Sequence, residues 1–122
     1  MRQKLENLLS QVMEIRHLYL LVHQNHVTKY YVQRACFANN NYYVIGSEKS
    51  SHLLIRDISV SRTHAIIIKK DEQYYLADLD SIEGTRIGGT KLEPRQGYLL
   101  SDGCLIQIGQ VIIEVEIQGK RI

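Results

Sequence analysis

A serine and a histidine three positions apart, Ser61 and His64, stand at the head of the apolar run Ala65–Ile68. A hydroxyl beside an imidazole is the minimal pair for nucleophilic catalysis, but that chemistry also needs a group that orients the imidazole. The sequence places no such acid at a telling spacing, so His64 reads as structural and no catalytic residue is expected. His17, His23 and His26 invite a metal reading. On extended backbone His17 and His23 share a face, His26 takes the other, and Asn25 turns the chain between them. Metal ligands must converge, so no metal site is expected, and no motif calls for a cofactor. Cys36 and Cys104 stand in apolar, strand-like stretches and read as small buried fillers.

Composition narrows the classes. A chain of 122 residues holds about one ordinary domain, too few for an enzyme with a separate cofactor domain. Fifteen Lys and Arg face thirteen Asp and Glu. The basic residues are scattered, with no run longer than two. A nucleic-acid surface would show a stripe or cluster, so no nucleic acid is expected as a partner. No apolar stretch approaches the roughly 20 residues that span a bilayer, and the N-terminus lacks the charged-then-apolar layout of a signal peptide. Small secreted domains usually carry more than two cysteines. A cytoplasmic setting, without membrane contact, is the simpler expectation.

These side chains must be positioned by strands. After an initial segment the apolar period shifts to that of extended chain. Short β-rich runs fall at 17–24, 26–33, 35–38, 42–45, 53–55, 64–70, 73–79, 98–100, 104–108 and 111–118, with the hairpin Gly88-Gly89 between TRI and TKL. The last run alternates most cleanly, with Val111, Ile113, Val115 and Ile117 on one face and Glu114, Glu116 and Gln118 on the other. Ten or eleven strands with no helix between them imply an all-β sandwich or barrel. The segment before residue 16 differs. Leu5, Leu8, Leu9, Val12 and Met13 recur at i, i+3, i+4, i+7 and i+8, which predicts an amphipathic helix over roughly 2–15. A helix this short is marginal alone, so this face is expected to pack on its own domain, to self-associate or to meet a partner. The organisation expected is a helical extension over 1–16, a sandwich over 17–118 and a tail over 119–122.

Residues 46–109 carry an ordered series: Gly46, then Ser61-Arg62-Thr63-His64-Ala65, then Ser81-Ile82-Glu83-Gly84-Thr85, then Ser101-Asp102-Gly103 and Ile106-Gln107-Ile108-Gly109. The series resembles the forkhead-associated (FHA) domain family, whose members read G-R, S-R-x-H-A, D-x-x-S-x-N-G-T and D-G-D-x-I-x-I-G. The resemblance implies an FHA-type eleven-stranded β-sandwich. It implies a non-catalytic protein–protein interaction module that reads phosphothreonine in partner proteins through loops at one end.

The same resemblance implies the site. Ser61 would donate to the phosphate. Arg62 would supply charge or brace loop carbonyls. Ile82 and Thr85 would belong to the phosphopeptide-binding set, with Thr85 packing or hydrogen-bonding locally. Gly46, His64 and Gly84 would be structural. Two positions depart from the pattern: Ser47 stands where the family has a phosphate-binding arginine, and Glu83 where it has a peptide-binding asparagine. A hydrogen bond to a charged group contributes about 1.5–3 kcal/mol, so losing the arginine alone implies affinity about ten- to a hundredfold weaker. Glu83 would repel a phosphate, point away into solvent, or meet a basic group on another ligand. Lys49 and Arg56 are candidate substitute cations in the same loops. The expected function is therefore an interaction module with weakened or lost phosphothreonine recognition. The alternatives are a working phosphothreonine reader in Ser/Thr kinase signalling and an assembly subunit held through the N-terminal helix.

Overall fold

The structure is a computed structural model and describes residues 16–24, 30–37 and 40–119. The period-two stretches form eleven strands: β1 Arg16–His23, β2 Tyr31–Ala35, β3 Tyr42–Gly46, β4 Leu53–Leu54, β5 Ala65–Lys70, β6 Gln73–Asp78, β7 Thr85–Ile87, β8 Thr90–Lys91, β9 Tyr98–Leu99, β10 Leu105–Ile108 and β11 Val111–Gly119. Two sheets result, one in the order β2-β1-β11-β10-β7-β8, the other β4-β3-β5-β6-β9. All strand pairs are antiparallel except β3 with β4.

Alternation sets which residues meet between the sheets. Leu18, Leu20 and Val22 of β1 and Ile113 and Val115 of β11 face Ile45, Ile67, Tyr74 and Leu76 of the other sheet, all essentially buried. Each such side chain contributes about 1.5–3 kcal/mol by leaving water. The β1–β11 pairing runs from Arg16↔Gly119 to His23↔Ile112, so the two ends of the described chain close the sandwich against each other. As the alternation of the last strand requires, Val111, Ile113 and Val115 are buried and Ile112 is exposed.

Two hairpins use two-residue turns with both residues at positive φ. Gly88-Gly89 does so at no steric cost. Asp71-Glu72, between Lys70 and Gln73, adopts the same left-handed backbone without glycine, at about 1 kcal/mol or more per residue.

Two expectations change, and a third falls outside the described residues. The run 35–38 does not make a strand of its own: β2 carries on to Ala35 and ends there. Cys36 is exposed rather than buried, because it lies just past the strand end, while Cys104 is half-buried. The predicted helix over 2–15 lies outside the described residues, as does His26.

Sheet register brings four connections to one end. Ile45 of β3 pairs with Ala65 of β5, and Ala65 pairs with Asp78 of β6. The end of β3, the start of β5 and the end of β6 therefore coincide. Thr85 of β7 pairs with Ile108 of β10, which adds the 109–110 turn to the same end.

Candidate functional site

The three loops at this end, 47–52, 55–64 and 79–84, are locked to one another by backbone and buried polar groups. Ser47 N–H donates to the Ser61 carbonyl at 3.0 Å and Glu48 N–H to the Arg62 carbonyl at 3.2 Å. Gly46 allows this approach: a Cβ there would overlap the Arg62 carbonyl oxygen. The glycine is thus needed for room, not for an unusual φ.

His64 is fully buried between two loops. Its Nδ1 accepts the Ser61 N–H at 2.9 Å, and its Nε2–H donates to the Gly84 carbonyl at 2.8 Å. A backbone donor on one nitrogen and a carbonyl on the other fix the neutral Nε2–H tautomer. Burial pushes the imidazole pKa below its ordinary value, outweighing the Gly84 carbonyl and the nearby Asp78 and Glu83 carboxylates that favour the charged form. The ring bonds the backbone of Ser61, not its hydroxyl, so the two side chains form no nucleophilic couple.

The third loop is organised by Asp78, a residue that sequence reasoning passed over. It is buried at the end of β6. Its Oδ1 accepts the Ser81 hydroxyl at 2.5 Å and the Thr85 hydroxyl at 2.6 Å, and its Oδ2 accepts the Ser81 N–H at 3.1 Å. Ser81 Oγ in turn accepts the Gly84 N–H at 2.9 Å. Burial works to raise the carboxyl pKa, but the donors from Ser81 and Thr85 outweigh it and hold the group below the usual carboxylate range. The available signal was the spacing Asp78-x-x-Ser81, which suits a side chain that caps the turn following it.

A second chain of hydrogen bonds braces the rim. Asp57 Oδ1 accepts the Ser59 N–H and hydroxyl, Ser59 Oγ accepts the Gln110 N–H at 2.8 Å, and the Gln110 amide donates to Glu83 Oε1 at 3.3 Å. Asp57 is held below the usual carboxylate range by the Ser59 hydroxyl first and the Ser59 N–H second.

The expected site residues divide accordingly. Ser61 Oγ accepts the Ile82 N–H at 3.0 Å. Among the described residues its hydroxyl proton finds no acceptor, so it remains available to a ligand. Arg62 is 87% exposed in its side chain, with Glu48 at 3.9 Å. Such a surface pair contributes under about 1 kcal/mol. Lys49, Ile82 and Glu83 are exposed at the same end, and Ile82 is 91% exposed. Arg56 is exposed, and its carbonyl accepts the Gln24 amide. Gly84 has φ near +91°. Thr85 is completely buried, and its hydroxyl donates to Asp78 Oδ1, a local hydrogen bond of the kind the resemblance implies. Among the described residues no cluster of His, Cys, Asp or Glu is arranged to hold a metal ion. His17 meets Arg34, and His23 packs on Tyr30.

The FHA domain family model matches residues 43–109, more than half of the chain. The chain belongs to the FHA domain family. FHA domains are protein–protein interaction modules, not enzymes. A curated relative, the oxoglutarate dehydrogenase inhibitor of Corynebacterium diphtheriae, is 34% identical over 76 residues, 62% of this chain. The chain spans about half the length of the curated relatives it matches (50% of this one). A solved FHA domain studied for phosphothreonine-dependent interactions is 26% identical, with a TM-score of 0.65 over 82% of this chain and 95% of its own. The FhaA FHA domain, solved in complex with the intracellular domain of Rv3910, is also 26% identical, with a TM-score of 0.64 over 81% of this chain and 99% of its own. Among the described residues of this FHA domain, no helix is long and apolar enough to cross a membrane.

Proposed function

We propose that this FHA domain binds a protein partner through the 47–52, 55–64 and 79–84 loops, with phosphothreonine recognition weakened or lost. The observation that carries this reading is the pair of carboxylates flanking Ser61 and Arg62. Glu48 lies beside the Arg62 guanidinium, and Glu83 is braced by Gln110 at the rim of the third loop. Ser47 adds no charge where the family pattern has arginine. A carboxylate about 4 Å from a phosphate charge costs on the order of 1 kcal/mol even in water, and more at a partly buried site. The lost arginine bond removes about 1.5–3 kcal/mol more.

A second reading, a working phosphothreonine reader, is favoured by one feature: the Ser61 hydroxyl has its proton free and its orientation fixed by Ile82 N–H. In that case Ser61, Arg62 and a substitute cation such as Lys49 hold the phosphate.

The test is a titration with a degenerate phosphothreonine peptide library and its unphosphorylated counterpart, followed through the backbone amides of Ser47, Ser61, Arg62 and Glu83. The proposal expects no phosphate-dependent saturation below about 1 mM peptide, equivalent to about 4 kcal/mol of binding. Saturable shifts at micromolar phosphopeptide, absent from the control, overturn it and establish the second reading. Arg62→Ala then abolishes those shifts.

A further inference from the structure

Among the described residues, four besides glycine have positive φ. Asp71 and Glu72 close the β5–β6 hairpin, but Asp80 (φ 54°) and Arg95 (φ 62°) stand in two different loops. These two meet through their side chains: Arg95 Nη1 donates to Asp80 Oδ2 at 3.0 Å. Asp80 opens the third loop, where the chain turns so that Ser81 reaches back to the Asp78 carboxylate. Aspartate visits a left-handed backbone readily, whereas arginine does so at a steric cost. Pro94 followed by a left-handed residue is the layout of a turn whose second central position normally takes glycine. The ion pair is exposed on both sides, 74% and 55%, so it does no more than offset the strain of its own two residues. An arginine kept where glycine fits better, for a pair that adds so little stability, points to a task other than stability.

We propose that Arg95 is a positioning residue: its guanidinium, acting through Asp80, sets the pose of the third loop and so the direction in which Ile82 and Glu83 meet a partner. The 93–97 loop gives it a fixed platform. Arg95 N–H donates to the Asp78 carbonyl at 2.8 Å, beside the parallel bridge between Asp78 and Pro94. Glu93 N–H donates to the Tyr98 hydroxyl at 3.1 Å, and that hydroxyl donates to Gln96 Oε1 at 3.4 Å. The third loop is held differently on its two sides. Its inner side is clamped by His64, whose carbonyl accepts the Leu79 N–H and whose ring donates to the Gly84 carbonyl, and by Ser61 Oγ, which accepts the Ile82 N–H. At its entry, among the described residues, Arg95 supplies the one side-chain bond to Asp80. Ile82 and Glu83 follow Asp80 within three residues and are exposed. A shift at Asp80 is therefore passed to them, while the inner clamp keeps the strands in place. This positioning rests on the reading that the third loop belongs to the partner surface.

Backbone amide spectra of the full-length protein test this with three substitutions. Arg95→Gly removes the guanidinium and relieves its φ. Asp80→Asn removes the carboxylate charge with a residue type that tolerates the same backbone. Arg95→Lys keeps a cation without the planar fork. Arg95 is 13 positions from Ile82 in sequence, so a shift at Ile82, Glu83 or Gly84 on its substitution arrives through space. The expected result is that Arg95→Gly and Asp80→Asn move these three amides in the same direction, with Arg95→Lys lying between them and the native positions. Exchange of the Ile82 and Gly84 amides should become about tenfold faster. Exchange across β5 and β6 should not change, and the thermal midpoint of Arg95→Gly should be equal to the native one or higher. Sodium chloride at about 1 M, which weakens an exposed pair, should move the same amides in the native protein and not in Arg95→Gly. These readouts report the free loop, so their failure is distinguishable from a failed peptide titration, which strikes the partner surface instead. Third-loop amides that stay in place in both Arg95→Gly and Asp80→Asn overturn the proposal. So do shifts with Arg95→Gly alone, which assign the effect to the Arg95 backbone. A lowered midpoint with faster exchange across β5 and β6 also overturns it, because the role is then one of stability.

Discussion

Substituting Asp78 by asparagine changes one atom's chemistry and almost no volume, so it isolates what the carboxylate does. In the native loop, Oδ1 takes two hydroxyl donors, from Ser81 and Thr85, and Oδ2 takes the Ser81 N–H. Asparagine keeps an acceptor for the two hydroxyls but turns an NH2 toward the Ser81 N–H, donor against donor. One bond to a charged acceptor is lost, worth about 1.5–3 kcal/mol, and the two that remain drop to the neutral range of about 0.5–1.5 kcal/mol each. Relief of a buried charge offsets part of this, which leaves a net cost of about 2–4 kcal/mol near pH 7. The sign with pH follows from the depressed carboxyl pKa. The native protein binds fewer protons at this site than the unfolded chain, so the stabilisation is full above about pH 4 and is lost as pH falls through the folded pKa. Urea unfolding of both proteins at a series of pH values is the assay. The gap should be widest at neutral pH and should narrow below about pH 4. The Ile82, Gly84 and Thr85 amides should shift in the folded variant, because Ser81 no longer anchors their turn. A gap under about 0.5 kcal/mol, or one that does not change with pH, would refute the reasoning, since a surface substitution gives no more than that.

Other expectations follow from the same end of the sandwich. Ser47→Arg combined with Glu83→Asn should raise phosphothreonine-peptide affinity at least about tenfold, equivalent to about 1.4 kcal/mol, by calorimetry against the unphosphorylated peptide. An unchanged affinity would show that the loops, not these two side chains, exclude the ligand. Gly46→Ala should lower stability by about 2 kcal/mol or more through overlap with the Arg62 carbonyl, whereas Gly88→Ala, with open space but φ near +56°, should lower it by about 1 kcal/mol; thermal unfolding ranks the two. The His64 ring should hold the neutral Nε2–H tautomer to lower pH than an ordinary imidazole in nitrogen-detected NMR. Its lowered pKa means the unfolded chain takes the proton first, so His64 makes stability fall as pH drops below about 6.5.

The strands were legible because each inward position is apolar and each turn has its own chemistry. Val111, Ile113 and Val115 alternate with Glu114 and Glu116, and that pattern admits one face for the core. Gly88-Gly89 likewise marks a turn, because two glycines between β-forming runs take positive φ at both positions without steric cost. The order and spacing of Gly46, Ser61, His64, Gly84 and Thr85 were legible too, as a family series. Their physical roles were less so, because they depend on which backbone atoms the fold brings close. Nothing local in Thr85 distinguishes a hydroxyl facing a ligand from one buried on Asp78. Nothing in Gly46 announces that the carbonyl sixteen positions on needs its space. Asp57, Ser59 and Gln110 are polar loop residues in the sequence, and only the 109–110 turn folding against the 55–64 loop joins them to Glu83.

Parity also explains why the most informative surface was hidden in plain sequence. In the run Ala65–Ile68 every residue is apolar, so composition cannot say which face looks outward. Pairing of β5 with β3 and β6 settles it: Ala65 and Ile67 enter the core, while Ile66 and Ile68 join Tyr42, Val44, Tyr75 and Leu99 outside. A strand buried on one side needs apolar residues at alternate positions only. The additional isoleucines do nothing for the core and would favour aggregation if left bare.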